Sequence, residues 1–151
     1  MSKKVWGSAT WYLFHTLSFK LKQEYEEYSQ ELFTIFKLIS ASLPCPQCAE
    51  HAKQRLEQAN KRAINNREAI IRVMFEFHNY VNMQLRKPQI TREEHDRLYL
   101  RADTSSVIKH FNTVFTVKHN DEKSMLHSWS RKISLDRLNK FINEHNYIFQ
   151  H

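Results

Sequence analysis

Gly7 is the only glycine in this 151-residue chain, and only three prolines accompany it. All-β and α/β folds use glycine freely in tight turns and phosphate loops, so this scarcity points to helices joined by short polar connections. It also removes the G-x-G-x-x-G fingerprint and the P-loop, each of which needs more than one glycine. Any nucleotide cofactor has to be held some other way. A hydrophobic fraction of 41% and an aromatic fraction of 13% argue against disorder. The length suits one domain with a real core and room for a terminal extension.

Apolar spacing predicts the helices. Trp6 to Lys22 is amphipathic, with Trp11, Phe14, His15, Leu17 and Ser18 three and four apart and Gly7-Ser8 as its start. Glu31 to Leu43 forms a second helix, stopped by Pro44 because the residue before a proline is pushed out of the helical region. Pro46 suits the first turn of a third, which leaves Cys45 at the N-cap and runs to about Ala59. Asn60 to Asn66 is a connection, and Arg67 to Arg86 a fourth helix ended by Lys87-Pro88. Thr91 and Glu94 form a capping-box pattern opening a fifth, to about Leu100. Beyond it, Val107 to Val117 fits helix or strand, His119 to Ser124 is a loop, and Leu135 to Phe149 is a last helix.

Twenty-three basic against sixteen acidic residues give a formal charge of +7. This fits a solvated basic surface or an anionic partner such as a phosphorylated cofactor. No basic run exceeds two residues, so the case for nucleic acid is weak. No segment has the length of a membrane span, and the N-terminus lacks the apolar stretch of a signal peptide, so a cytoplasmic setting is expected.

Cys45-Pro46-Gln47-Cys48 holds both cysteines of the chain. A disulfide between them closes almost no loop and adds little as a staple, which leaves redox exchange or metal binding. Structural zinc needs four ligands, of which His51 would be only a third, and a thioredoxin-like site needs a preceding strand. The third option is a dithiol beside a redox cofactor in a helical bundle. There the helix N-terminus favours thiolate at Cys45, and two electrons must pass to a flavin or an external partner. Trp11 and His15 share one helical face, and His78, Asn79 and Asn82 lie within little more than a turn beside Phe75, Phe77 and Val81. Either an interhelical polar network or a flat hydrogen-bonding ligand stacked on Trp11 would satisfy these amides, which cost roughly 1–3 kcal/mol each if buried unpaired.

These residues also carry a resemblance. Trp6-Gly7-Ser8-Ala9-Thr10-Trp11 with His15-Thr16-Leu17 resembles the W-G-x-x-x-W-x-x-x-H-T-L opening of the Erv/ALR FAD-linked sulfhydryl oxidases. Cys45-Pro46-Gln47-Cys48-Ala49-Glu50 is similar to the family's redox motif, and His78-Asn79-Tyr80-Val81-Asn82 through Lys87-Pro88 to its H-N-x-V-N-x-x-L-x-K-P signature. The likeness covers roughly residues 6 to 90.

It implies an all-α, four- or five-helix bundle that holds FAD, over residues 1–100, with a mostly helical C-terminal extension over 101–151. Cys45 would exchange disulfides with a dithiol substrate and Cys48 would pass electrons to the flavin, with oxygen reduced to hydrogen peroxide. Gly7, Ser8, Thr10, Trp11, His15, Phe75, His78, Asn79, Val81, Asn82 and Lys87 would bind the cofactor. Two departures stand out: there is no shuttle dithiol, and Phe75 stands where many members have a structural cysteine. The short core looks most like versions encoded by large cytoplasmic DNA viruses. That likeness implies a homodimer acting on thioredoxin-like or virion protein dithiols in the host cytoplasm or the virion. The aromatics of the last third predict that it packs on the bundle or forms an interface. The rival readings are a zinc-binding interaction module and a flavin-free exchange protein.

Overall fold

The computed structural model describes residues 2–116 and 122–151, and every regular segment among them is helical. Helix α1 (Lys3–Lys20) is followed by a 3-10 stretch (Gln23–Tyr28) and α2 (Ser29–Ser40). Then come α3 (Pro46–Glu57), a short 3-10 turn (Lys61–Ala63), α4 (Arg67–Gln84) and α5 (Arg92–Leu100). The chain closes with α6 (Thr104–Phe115), α7 (Glu122–His145) and a 3-10 turn (Asn146–Ile148).

The helix starts follow from side-chain caps that satisfy otherwise orphaned N–H groups. Asn66 accepts from the amide of Ala69, and Asp103 from that of Ser106. Thr91 and Glu94 make the reciprocal capping box that the sequence predicts. Three segments differ from expectation, and a fourth settles an open choice. Helix α1 begins at Ser2, whose hydroxyl caps Val5, so Gly7 lies inside the helix rather than at its start. One glycine costs a helix about 1 kcal/mol relative to alanine, too little to break an 18-residue element whose buried face is already in register. Helix α2 stops at Ser40 rather than Leu43, because the Ser42 hydroxyl bonds the carbonyls of Leu38 and Ile39 ahead of Pro44. Residues 104–115 are helix, one of the two structures that the sequence left open there. Helix α7 takes in Glu122–Ser124 and ends at His145, where φ −133 breaks the helical geometry; the expected loop residues 119–121 lie outside the described residues.

Helix α1 is the hub, packed along α4, α5 and α6, while α2 lies against α3 and α7. A continuous core joins Leu13, Leu17, Phe33, Phe36, Ile70 and Met74 to Phe111, Leu138, Phe141 and Phe149. Each such side chain contributes about 1.5–3 kcal/mol by leaving water. The C-terminal residues return to the bundle, where Phe149 pairs antiparallel with Leu21. No helix among the described residues is long and apolar enough to cross a membrane.

Candidate active site

Cys45 occupies the N-cap of α3 in extended conformation, with Pro46 in the first turn. Its sulfur accepts the backbone N–H of Cys48 at 3.2 Å and is joined to the Cys48 sulfur in a disulfide. Helix geometry brings the two cysteines onto one turn, with a Cα–Cα separation of 5.1 Å. Both are half-buried, but Pro46 and Gln47 between them are exposed. Cys48 looks the other way, onto a cavity of about 550 Å³ enclosed by α1, α3, α4 and Tyr99 of α5. Cys45 is not on its wall. The disulfide therefore has one cysteine on the cavity wall and the other off it, next to the exposed Pro46.

The opposite wall is aromatic. Trp11 stacks on His78 with centroids 4.0 Å apart and planes 9° from parallel, and Phe77 meets the indole edge-on at 5.1 Å. Gly7, Ser8 and Thr10 line the cavity from α1, and Val81 and Asn82 from α4. Past the end of α4, Arg86 takes φ 57, the left-handed geometry that ends a helix, and the next residue, Lys87, comes onto the cavity wall. Lys3 and Lys4 add two further cations to the same wall.

Behind the aromatic pair runs a row of three histidines. His78 Nδ1 lies 2.8 Å from His15 Nε2, and His15 Nδ1 lies 3.0 Å from His95 Nε2. His95 Nδ1 is 2.8 Å from a carboxylate oxygen of Asp96. That oxygen also accepts from Arg92, which forms a two-pronged ion pair with Glu68 of α4. Burial drives His15 well below the ordinary histidine range, and the neighbouring His95 and His78 add to the effect. Burial, with His95 and Lys87, lowers His78 to about 4. His95 is lowered by burial despite the opposing pull of Asp96. Burial works against ionisation of Asp96, but bonds from Arg92 and His95 outweigh it and hold the carboxyl below its usual range. At neutral pH all three imidazoles are uncharged and Asp96 is a carboxylate.

The model of the Erv1/Alr family matches residues 8–100. The chain belongs to the Erv1/Alr family. It is 32% identical over 89 residues to the FAD-linked sulfhydryl oxidase 096R of Invertebrate iridescent virus 3, covering 58% of this chain and 60% of that protein. It is also 32% identical over 89 residues to the FAD-linked sulfhydryl oxidase ERV1 of Oryza sativa subsp. japonica, covering 58% of this chain and 45% of the rice protein. A third relative, the FAD-linked sulfhydryl oxidase FPV093 of Fowlpox virus, is 30% identical over 66 residues, covering 44% and 66%. The matched segment thus spans less than two thirds of each of these relatives. No solved structure matches the chain.

In this family member, Gly7, Ser8, Thr10, Trp11, His78, Val81, Asn82, Lys87 and Cys48 line one cavity. Three other cofactor-binding candidates do not reach its wall. His15 is 1% exposed and sits behind His78. Phe75 lies edge-on to His95 at 5.4 Å, one helical face away. Asn79 clamps the connection after α4, exchanging bonds of 2.9 Å with both the carbonyl and the amide of Ile90. It holds the segment that carries Lys87. The sequence reading also missed wall residues. Lys3 and Lys4 lie one helical turn before Gly7 and Ser8, and His51 one turn after Cys48, so helical spacing from the motifs would find them. Tyr99 and His95 on α5 lie outside every motif.

Proposed function

We propose that this chain is a FAD-dependent thiol oxidase that makes disulfides in protein substrates and reduces oxygen to hydrogen peroxide. The observation that carries the reading is the position of Cys48, half of a helix-terminal disulfide, on the wall of a cavity with a flat aromatic face. The cavity fits the cofactor in size and chemistry. Its volume falls in the usual range for small-molecule sites, about 300–1,000 Å³. Trp11 offers a stacking face for a planar ring, Asn82 an amide, and Lys3, Lys4 and Lys87 the cations a diphosphate needs. Relatives named as FAD-linked sulfhydryl oxidases support the same assignment.

The chain's own chemistry begins at Cys45. A substrate thiolate attacks its sulfur, forming a mixed disulfide and releasing Cys48 as a thiolate on the cavity side. The second substrate thiol then attacks the substrate sulfur of that mixed disulfide. The oxidised substrate leaves, and Cys45 becomes a thiolate. The N-terminus of α3 stabilises that thiolate, since the Cys48 amide already donates to the same sulfur. Two electrons now rest on the cysteine pair. When bound, FAD supplies a two-electron acceptor able to pass the pair on to oxygen. The two viral relatives, both named as FAD-linked sulfhydryl oxidases, support a role in virus-encoded disulfide formation; the substrates proposed for it are thioredoxin-like or virion protein dithiols.

The test is a visible absorption spectrum of the purified protein before and after denaturation. Released, non-covalent flavin is expected. Cys48→Ala should keep the flavin and lose turnover with every thiol, and Cys45→Ala should lose turnover with protein dithiols. A protein that stays colourless after refolding with FAD overturns the reading.

A further inference from the structure

The histidine row has a definite polarity. An ionised carboxylate only accepts hydrogen bonds, and a neutral imidazole has one donor and one acceptor nitrogen. Asp96 therefore requires the proton of His95 on Nδ1, which leaves His95 Nε2 bare. That bare nitrogen requires the proton of His15 on Nδ1, and His15 Nε2 in turn requires the proton of His78 on Nδ1. His78 Nε2 is then an acceptor. It makes no hydrogen bond among the described residues, and His78 lines the cavity.

We propose that His95 and Asp96 are positioning residues of the cofactor site, which fix His78 as the Nδ1–H tautomer and so present Nε2 to the cavity as a hydrogen-bond acceptor. The inference rests on the reading of the cavity as an FAD site, and it specifies that an N–H or O–H group of the cofactor meets His78. The row is built to hold this setting. His15 and His95 are both 1% exposed, so water cannot reverse a proton between them. Tyr99 packs against both rings, and Phe75 closes the outer side of His95. The groups facing the row are Glu68 from α4, Arg92 and Asp96 from α5, Tyr12 from α1 against Tyr99, and, beside His78, Lys87 past the end of α4. Arg92 bridges Glu68 and Asp96, which ties the carboxylate in place from the side away from the histidines.

Breaking the row at His95 reverses it. In His95→Leu, His15 has no acceptor for an Nδ1 proton. It moves the proton to Nε2 and donates to His78 Nδ1, and His78 then carries its own proton on Nε2. The wall becomes a donor facing a donor. His95→Gln restores the row, because its amide donates to Asp96 and its oxygen accepts from His15.

Side-chain nitrogen NMR of the cofactor-free protein reads the tautomers directly. His78 is expected as Nδ1–H in the wild type and His95→Gln, and as Nε2–H in His95→Leu. Fluorescence titration with FAD should show His95→Leu binding about tenfold more weakly, with His95→Gln near the wild type. Asp96→Ala, at a half-exposed position, exchanges an obligate acceptor for water, and should give mixed His78 tautomers even if His95→Leu fails to fold. A wild-type His78 protonated on Nε2, an unchanged tautomer in His95→Leu, an unmixed Nδ1–H signal in Asp96→Ala, or equal FAD affinity in His95→Leu and wild type overturns the proposal. A wild-type protein that takes up no FAD overturns the oxidase reading instead, and is recognised as such because the tautomer measurement needs no cofactor.

Discussion

At the scale of single residues, the buried histidines tie stability to pH with a definite sign. Unfolded histidines titrate near 6.5, whereas folded His78 titrates at about 4 and His15 and His95 lie below their usual range. Between those limits the unfolded chain binds more protons than the folded one, so stability rises with pH there. The contribution is complete above about pH 6.5 and is lost as pH falls toward 4. His78 alone accounts for about 3 kcal/mol at the acid end of that window. Asp96 and Glu68, both held below their usual carboxylate range, extend the loss to lower pH. Urea midpoints measured between about pH 7.5 and 4.5 should fall steadily on acidification, most steeply below about pH 6.5. A flat profile across that window would show that the row is not held neutral.

At the scale of elements, the caps and the motifs were readable and the α5 contribution to the site was not. Thr91 and Glu94, Pro46 and Pro44 mark boundaries by local chemistry, so the sequence places those ends within a few residues. Trp11, His78 and Cys48 are readable because each sits at helical spacing from a companion. His95 is flanked by Glu93, Glu94, Asp96 and Arg97, and so has the local pattern of an exposed charged helix. Its burial comes from the packing of α5 on α1 and against Phe75 of α4, which is a tertiary fact. Gly7 misleads in the other direction. It looks like a helix start but lies inside α1, and a methyl group added there meets no protein atom within 4 Å. Gly7→Ala should therefore raise the stability of the cofactor-free protein by about 1 kcal/mol in chemical denaturation. Because Gly7 lines the cavity, the same methyl should weaken FAD binding. A variant that gains stability and keeps full FAD affinity would show that the glycine is not retained for the cofactor.

At the scale of the whole molecule, the segment after α5 lies beyond the family match, which ends at residue 100, yet it supplies part of the same core. Phe111, Phe115, Phe141 and Phe149 are each at most 3% exposed, against neighbours drawn from both halves of the chain. The end of the chain is also tied to α1 by polar contacts: Lys22 N–H donates to Ile148 O and Gln150 N–H to Lys20 O, each at 2.8 Å. The Lys20 ammonium donates to Leu100 O at 3.0 Å and to His151 O at 3.4 Å, so one buried cation bridges the end of α5 and the end of the chain. Burial of the four phenylalanines contributes about 6–12 kcal/mol. That is comparable to the whole net stability of an ordinary domain, about 5–15 kcal/mol. Truncation after Arg101 should then leave the faces of α1 and α2 open and the remainder unable to fold cooperatively. It should show no sigmoidal urea transition, with aggregation or weak FAD retention. A truncated chain that stays soluble, melts cooperatively and holds FAD as the full chain does would show that residues 101–151 decorate a self-sufficient bundle. That outcome would leave their buried aromatics to be explained by something other than stability.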